Sequence, residues 1–84
     1  MAGVVNIGFG DMVTVEKIAA IVSPDSTSVR NIINQAKENG KLIDSTRGKK
    51  TRSVIILDSD HVILSSVLPI TIGERAEKNS KDKG

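Results

Sequence analysis

The 84-residue chain has no cysteine, tryptophan or tyrosine, and it has one phenylalanine (Phe9), one histidine (His61) and two prolines (Pro24 and Pro69). Without cysteine there can be no disulfide and no thiolate metal site, and a single histidine leaves a structural zinc site without ligands. One aromatic ring is too few for the stacking platforms that grip single-stranded nucleic acid. The longest apolar runs, residues 18–22 and 54–57, fall far short of the ~20 residues that cross a bilayer. Neither a basic n-region nor a long apolar stretch opens the chain, so no signal peptide is expected, and the expected location is cytoplasmic. A chain of this length forms one domain and buries roughly 60% of its unfolded surface, which leaves a marginal core. Small domains are usually reinforced by disulfides, metals or self-association. Only self-association is left here.

Charge of one sign is also scarce. Twelve Lys and Arg against ten Asp and Glu give a net charge of +2, too little to name a partner. Its placement is more informative. Residues 47–52 hold four basic side chains (Arg47, Lys49, Lys50, Arg52) and no acid, and the rest of the chain carries eight basic and ten acidic residues. The whole positive excess sits in one hexapeptide.

The pattern predicts an α+β domain over residues 1–77 with a flexible charged tail over 78–84. Residues 4–7 form a short β-branched run, followed by a turn at Gly8-Phe9-Gly10-Asp11. Residues 12–22 resume apolar character, and 18–22 are apolar on consecutive positions, as in a strand covered on both faces. Pro24 ends that strand, and Asp25 and Ser26 are good helix caps. Val29, Ile32, Ile33 and Ala36 then lie at i, i+3, i+4 and i+7, predicting an amphipathic helix from 26 to 39 with Gly40 as its stop. Residues 41–44 read as a strand, 45–51 as a hairpin connection, 52–57 as a strand, 58–60 as a turn, and 61–67 as the closing strand. Pro69 opens a short helix over about 70–77. The result is one small mixed or antiparallel sheet with one main helix and a short C-terminal one. One 14-residue helix covers one sheet face; the other must meet the terminal helix or another subunit, which supports a homo-oligomer.

Catalytic chemistry has little to stand on. Asp58, Asp60 and His61 lie close together, but Asp and Ser beside a strand end are turn formers. Ser65 and Ser66 follow without a nucleophile elbow. Gly8-Phe9-Gly10 lacks the third glycine of a dinucleotide fingerprint, because residue 13 is Val. Gly48-Lys49-Lys50-Thr51 lacks the phosphate-loop glycine at position 43, which is Ile, and Lys50 separates Lys49 from the hydroxyl residue. No enzyme activity, cofactor, metal or small-molecule substrate is expected. The basic segment remains. Lys and Arg on a loop bind phosphate oxygens and release condensed counterions, and Gly48 lets the backbone approach closely. The plainer reading is a solvated loop, but a surface kept for solubility usually mixes both signs. Arg30 and Lys37 fall on the polar side of the helix and would be secondary contacts at most.

Several ordered stretches closely resemble the RemA family of bacterial extracellular-matrix regulators: Asn6-Ile7-Gly8-Phe9-Gly10-Asp11-Met12-Val13, Ile21-Val22-Ser23-Pro24-Asp25-Ser26, Gly40-Lys41-Leu42-Ile43-Asp44, Arg52-Ser53-Val54-Ile55-Ile56, and Asp58-Ser59-Asp60-His61-Val62-Ile63-Leu64-Ser65-Ser66. The resemblance spans about residues 4–72. It implies a fold similar to LytTR-type DNA-binding domains, ring-shaped homo-oligomers that present basic residues to double-stranded DNA, and activation of biofilm-matrix genes by a nucleoid-associated regulator. The family's DNA-contacting positions fall at Lys17, Lys49 and Lys50, where its best-studied members carry arginine. Lysine keeps the charge and loses the planar fork that reads guanine, so backbone contact is implied more strongly than base readout. The candidate DNA-binding set is therefore Lys17, Arg47, Lys49, Lys50 and Arg52. Two rivals are a protein–protein module whose basic loop meets an acidic partner, and a duplex-RNA-binding module.

Overall fold

In the computed structural model, which describes residues 3–81, six strands and two helices follow one another along the chain. They are β1 (Val4–Gly8), β2 (Asp11–Thr14), a 3-10 turn (Val15–Lys17), β3 (Ile18–Val22), α1 (Thr27–Glu38), β4 (Leu42–Asp44), β5 (Ser53–Leu57), β6 (Val62–Ser65) and α2 (Pro69–Lys81). The α+β class is as expected, but there are two sheets rather than one. β1 and β2 form an antiparallel hairpin, and β3-β5-β6-β4 form a mixed four-stranded sheet. The apolar stretch 12–22 is broken by the 3-10 turn, which lets the chain leave the hairpin and enter the larger sheet.

The larger correction concerns residues 45–51. They do not join two neighbouring strands. β4 pairs in parallel with β6, while β5 pairs antiparallel with both β3 and β6. The basic segment therefore runs from an edge strand, across the end of β6, to a central strand. Its turn is local all the same: Lys49 N–H donates to Thr46 C=O at 3.0 Å, and Arg47 (φ 54°) and Gly48 (φ 83°) take consecutive left-handed conformations, as in a type I′ turn.

α1 is built as its sequence dictates. Ser26 Oγ accepts from Val29 N–H at 3.1 Å, satisfying one of the free N–H groups of the first turn. At the other end Gly40 has φ 71°, and Lys41 N–H and Gly40 N–H donate to Ala36 and Lys37 carbonyls at 2.8 and 3.3 Å. This is the Schellman closure that favours glycine. The apolar stripe of α1 packs with Val54, Val62, Val22 and Leu64 on one face of the sheet.

The opposite face is organised around one row. Ile43, Ile63, Ile55 and Ile21 lie side by side across β4, β6, β5 and β3. The hairpin and α2 cover the row, adding Val5, Ile7, Val13 and Ile72. α2 packs chiefly on β1 and also meets β3 and the 3-10 turn. Both sheet faces are thus covered within one chain except at edge strand β4, where Ile43 stays half exposed. At the join, the buried Ser65 Oγ donates to Ile7 C=O at 2.7 Å and accepts from Val67 N–H at 3.0 Å. Its cross-strand neighbour Ser53 donates to Val67 C=O. These hydroxyls satisfy backbone groups that would otherwise be buried unpaired.

α2 continues four residues beyond its expected end, so residues 78–81 of the expected tail are helical. The rest of that tail, 82–84, lies outside the described residues. No helix among the described residues is long and apolar enough to cross a membrane.

Candidate nucleic-acid interface

The end of the sheet where β6 and β4 finish and β5 starts carries the positive charge. Lys49, Lys50, Arg52 and Ser66 line an open cleft of ≈ 340 Å³ there, with no acidic side chain among them. Arg52 N–H donates to Ser65 C=O at 2.8 Å, which fixes the end of the segment beside β6 and sets Ser66 next to the lysines. A neighbouring cleft of ≈ 170 Å³ joins Lys50, Thr51 and Arg52 to Ser23, Pro24, Asp25, Leu68 and Pro69. Lys49, Lys50 and Arg52 are all exposed. The arrangement can hold a phosphate between flexible ammonium groups, a guanidinium and a hydroxyl.

The start of the segment is fastened rather than projecting. Ser45 and Thr46 are buried. Ser45 Oγ donates to Asp11, and Asp44 Oδ1 accepts from both the N–H (2.9 Å) and the hydroxyl (2.6 Å) of Thr46. Arg47 donates to Asp11 at 3.2 Å, and its guanidinium carbon lies 5.5 Å from the centre of the Phe9 ring. The hairpin tip, with Phe9 at φ 55°, is thereby clamped to the basic segment. The Ser45 hydroxyl, aided by the Arg47 charge, holds the Asp11 carboxyl below its ordinary value. The hydroxyl and N–H of Thr46 do the same for Asp44.

Both carboxyls favour the folded state when ionised, so their contribution is complete above the ordinary carboxylate range and is lost as pH falls through their lowered values. The Thr46 amide resonance is expected to stay unchanged as pH falls from 7 through the ordinary carboxylate range and to move toward its unbonded position only below that range. A pH series of amide spectra checks this, with Asp44→Asn expected to abolish the step.

The remaining predicted residues do not share this cleft. Lys17 ends the 3-10 turn, and its C=O accepts from Asp58 N–H at 2.8 Å. It lies at the far end of β3, since Ile18 pairs with Leu57 and Val22 with Val54. Five strand residues put Lys17 about 17 Å from the basic segment. Arg30, in the first half of α1, lies toward the cationic end of the sheet, and Lys37, in the last turn, lies toward the other; both are exposed. The Asp58–His61 stretch is a turn, closed by Asp60 N–H donating to Leu57 C=O at 3.0 Å, with Ser59 Oγ 2.7 Å from His61 Nδ1. No group of three or more His, Asp or Glu side chains among the described residues is placed to hold a metal. Sequence reasoning missed Ser66, which is brought to the cleft by pairing far from the lysines in sequence. It also missed the Asp11–Ser45 clamp. Only the run Asp44-Ser45-Thr46 hinted at it, as a side-chain-capped turn.

The model of a family described as extracellular matrix regulatory protein A-like matches residues 4–76. The chain belongs to this RemA-like family. A relative from Geobacillus sp. strain WCH70 is 58% identical over 71 residues, covering 84% of this chain and 82% of its own. One from Oceanobacillus iheyensis is 51% identical over 77 residues, covering 92% and 90%. One from Alkaliphilus metalliredigens is 54% identical over 78 residues, covering 93% and 82%. All three carry the provisional name of regulatory protein. Family and relatives thus speak for a regulatory role.

Proposed function

We propose that this chain is a homo-oligomeric transcriptional regulator that grips the phosphate backbone of duplex DNA through the Lys49–Lys50–Arg52–Ser66 cleft. The observation that carries the reading is the cleft itself: three cations and a hydroxyl converge without an acid among them. Arg47, already paired with Asp11, positions the segment, while Lys49 and Lys50 make the contact. Lys17 touches a separate stretch of backbone, because about 17 Å of sheet divides it from the cleft. Lysine ammoniums bind phosphate as point charges and carry little base information, so the binding is sequence-tolerant. One subunit offers only a few contacts. Repetition around a ring makes later contacts intramolecular and raises avidity without new chemistry. In a family described by extracellular matrix regulation, the genes so controlled would be those for biofilm matrix, and the LytTR-like reading of the fold belongs to the same proposal.

Gel-shift titrations with duplex DNA, duplex RNA and single strands of one sequence test the partner. Duplex DNA is expected to bind most tightly. Equal binding of duplex RNA would instead indicate reading of duplex shape, and no binding to any nucleic acid would favour an acidic protein partner.

A further inference from the structure

The acid-free cleft has two properties that gripping a DNA backbone does not use. It is concave and open, so a free small anion can enter it, and a cleft walled by charge of one sign concentrates such ions. Two of its cations are also lysines, whose amines are nucleophiles once a proton is lost, whereas a guanidinium keeps its charge. The four lining residues differ in position. Lys50 and Arg52 line both this cleft and its neighbour, while Lys49 and Ser66 line this one alone. Lys50 and Arg52 therefore stand at the boundary of the two clefts, and Lys49 lies away from it. The carboxylate of the neighbouring cleft, Asp25, already accepts from the Ser23 hydroxyl at 3.1 Å.

Other lysines of the chain sit differently. Lys41 Nζ donates to Ser59 C=O at 3.3 Å, in a groove that also holds Asp60. Lys37 is followed in sequence by Glu38. Lys49 is exposed, and residues 45–52 around it contain no acid. Its backbone N–H is bonded to Thr46 C=O at 3.0 Å, and Thr46 is itself buried and bonded to Asp44. The base of the Lys49 side chain is thus held in place beside the cleft while its amine is free to reach across it.

We propose that the cleft binds acyl phosphates and that Lys49 takes their acyl group, so that the chain acylates itself and loosens its hold on DNA. Lys50, Arg52 and the Ser66 hydroxyl hold the phosphate dianion, which leaves the acyl carbonyl toward Lys49. Lys49, having given one proton of its ammonium to water, adds its nitrogen lone pair to the carbonyl carbon. The bond from that carbon to the phosphate oxygen breaks, and the second proton leaves the nitrogen with the departing hydrogen phosphate. An amide and inorganic phosphate result, with no change in oxidation state. Holding the reagent beside the amine makes the step effectively unimolecular. The amide carries no charge, so the cleft falls from three cations to two. The loss of DNA rests on the proposed function; the acylation does not.

The test treats the full chain with acetyl phosphate in the absence of DNA and follows each lysine by tandem mass spectrometry. Lys49 is expected to react at least ~10-fold faster than Lys37 and Lys41, with a rate that saturates and that inorganic phosphate inhibits. Acetic anhydride, which carries no charge, should show no such preference, and Arg52→Ala should remove it. Equal rates at the three lysines, the same preference with the anhydride, or faster reaction at Lys50 than at Lys49 overturn the proposal and leave the DNA reading untouched. If Arg52→Ala does not fold by circular dichroism, the phosphate competition decides the same point: no inhibition overturns the site. Acetylated chain is then titrated with duplex DNA. If four of about twelve phosphate contacts are lost, the slope of log K against log salt should fall from roughly −11 to roughly −7. Fast acylation of Lys49 with unchanged DNA affinity overturns the regulatory consequence and removes Lys49 from the DNA contact.

Discussion

Replacing Lys49 and Lys50 together with alanine is expected to weaken duplex DNA binding by at least ~10² at moderate salt. The reason is repetition. If Lys17, Lys49 and Lys50 of each copy each neutralise one phosphate and about four copies engage, removing two per copy takes away about eight of twelve contacts, and the slope of log K against log salt should shrink from roughly −11 to roughly −4. The double variant should fold normally, since both side chains are exposed and the segment is fastened through Ser45, Thr46 and Arg47 instead. Arginine at both positions should preserve or raise affinity, because it keeps the charge and adds the bidentate fork. Unchanged binding by the alanine variant, measured by fluorescence anisotropy, would remove these lysines from the site.

The second large effect concerns the fold. Ile55 is fully buried at the centre of the isoleucine row, against the hairpin and α2. Ile55→Ala is expected to destabilise the chain by about 2–5 kcal/mol through lost burial and the cavity it leaves. Total stability for this length is roughly 4–13 kcal/mol, so the variant should melt about 10–30 °C lower or fail to fold at all. Ile43→Ala, in the same row but half exposed, should cost less than about 1 kcal/mol of monomer stability. Thermal melts by circular dichroism distinguish the two. Equal losses would contradict the uneven covering of the sheet.

What could be read from the sequence was what is local. α1 was legible because its cap, its stripe and its glycine stop lie within fifteen residues and depend only on one another. The turn at Asp58–His61 was legible for the same reason. The basic segment was misplaced because its local signals do describe a tight turn. Whether the flanking strands are neighbours is decided by β6, which arrives later in the chain and inserts between β4 and β5. The parallel β4–β6 pairing leaves no mark on either strand's composition. The same non-local step brings Ser66 beside Lys49 and Lys50 and sends Lys17 to the far end of the sheet. α2 was read short because its last turns are polar; Lys and Glu sustain a helix on propensity without an apolar stripe. Consecutive apolar residues in β3, β5 and β6 announce that both sheet faces need cover, but they do not say whether the terminal helix or another subunit supplies it. α2 and the hairpin supply most of it and leave a gap at Ile43.

The central claim is that the cleft at the end of the sheet, repeated in an assembly, holds the backbone of duplex DNA. The measurement that tests it most directly is the affinity of the parent chain for one duplex across a salt series. A slope of log K against log salt near −11 is predicted, from about twelve phosphate contacts. A slope near −3 means that one copy binds alone, and it would contradict the account.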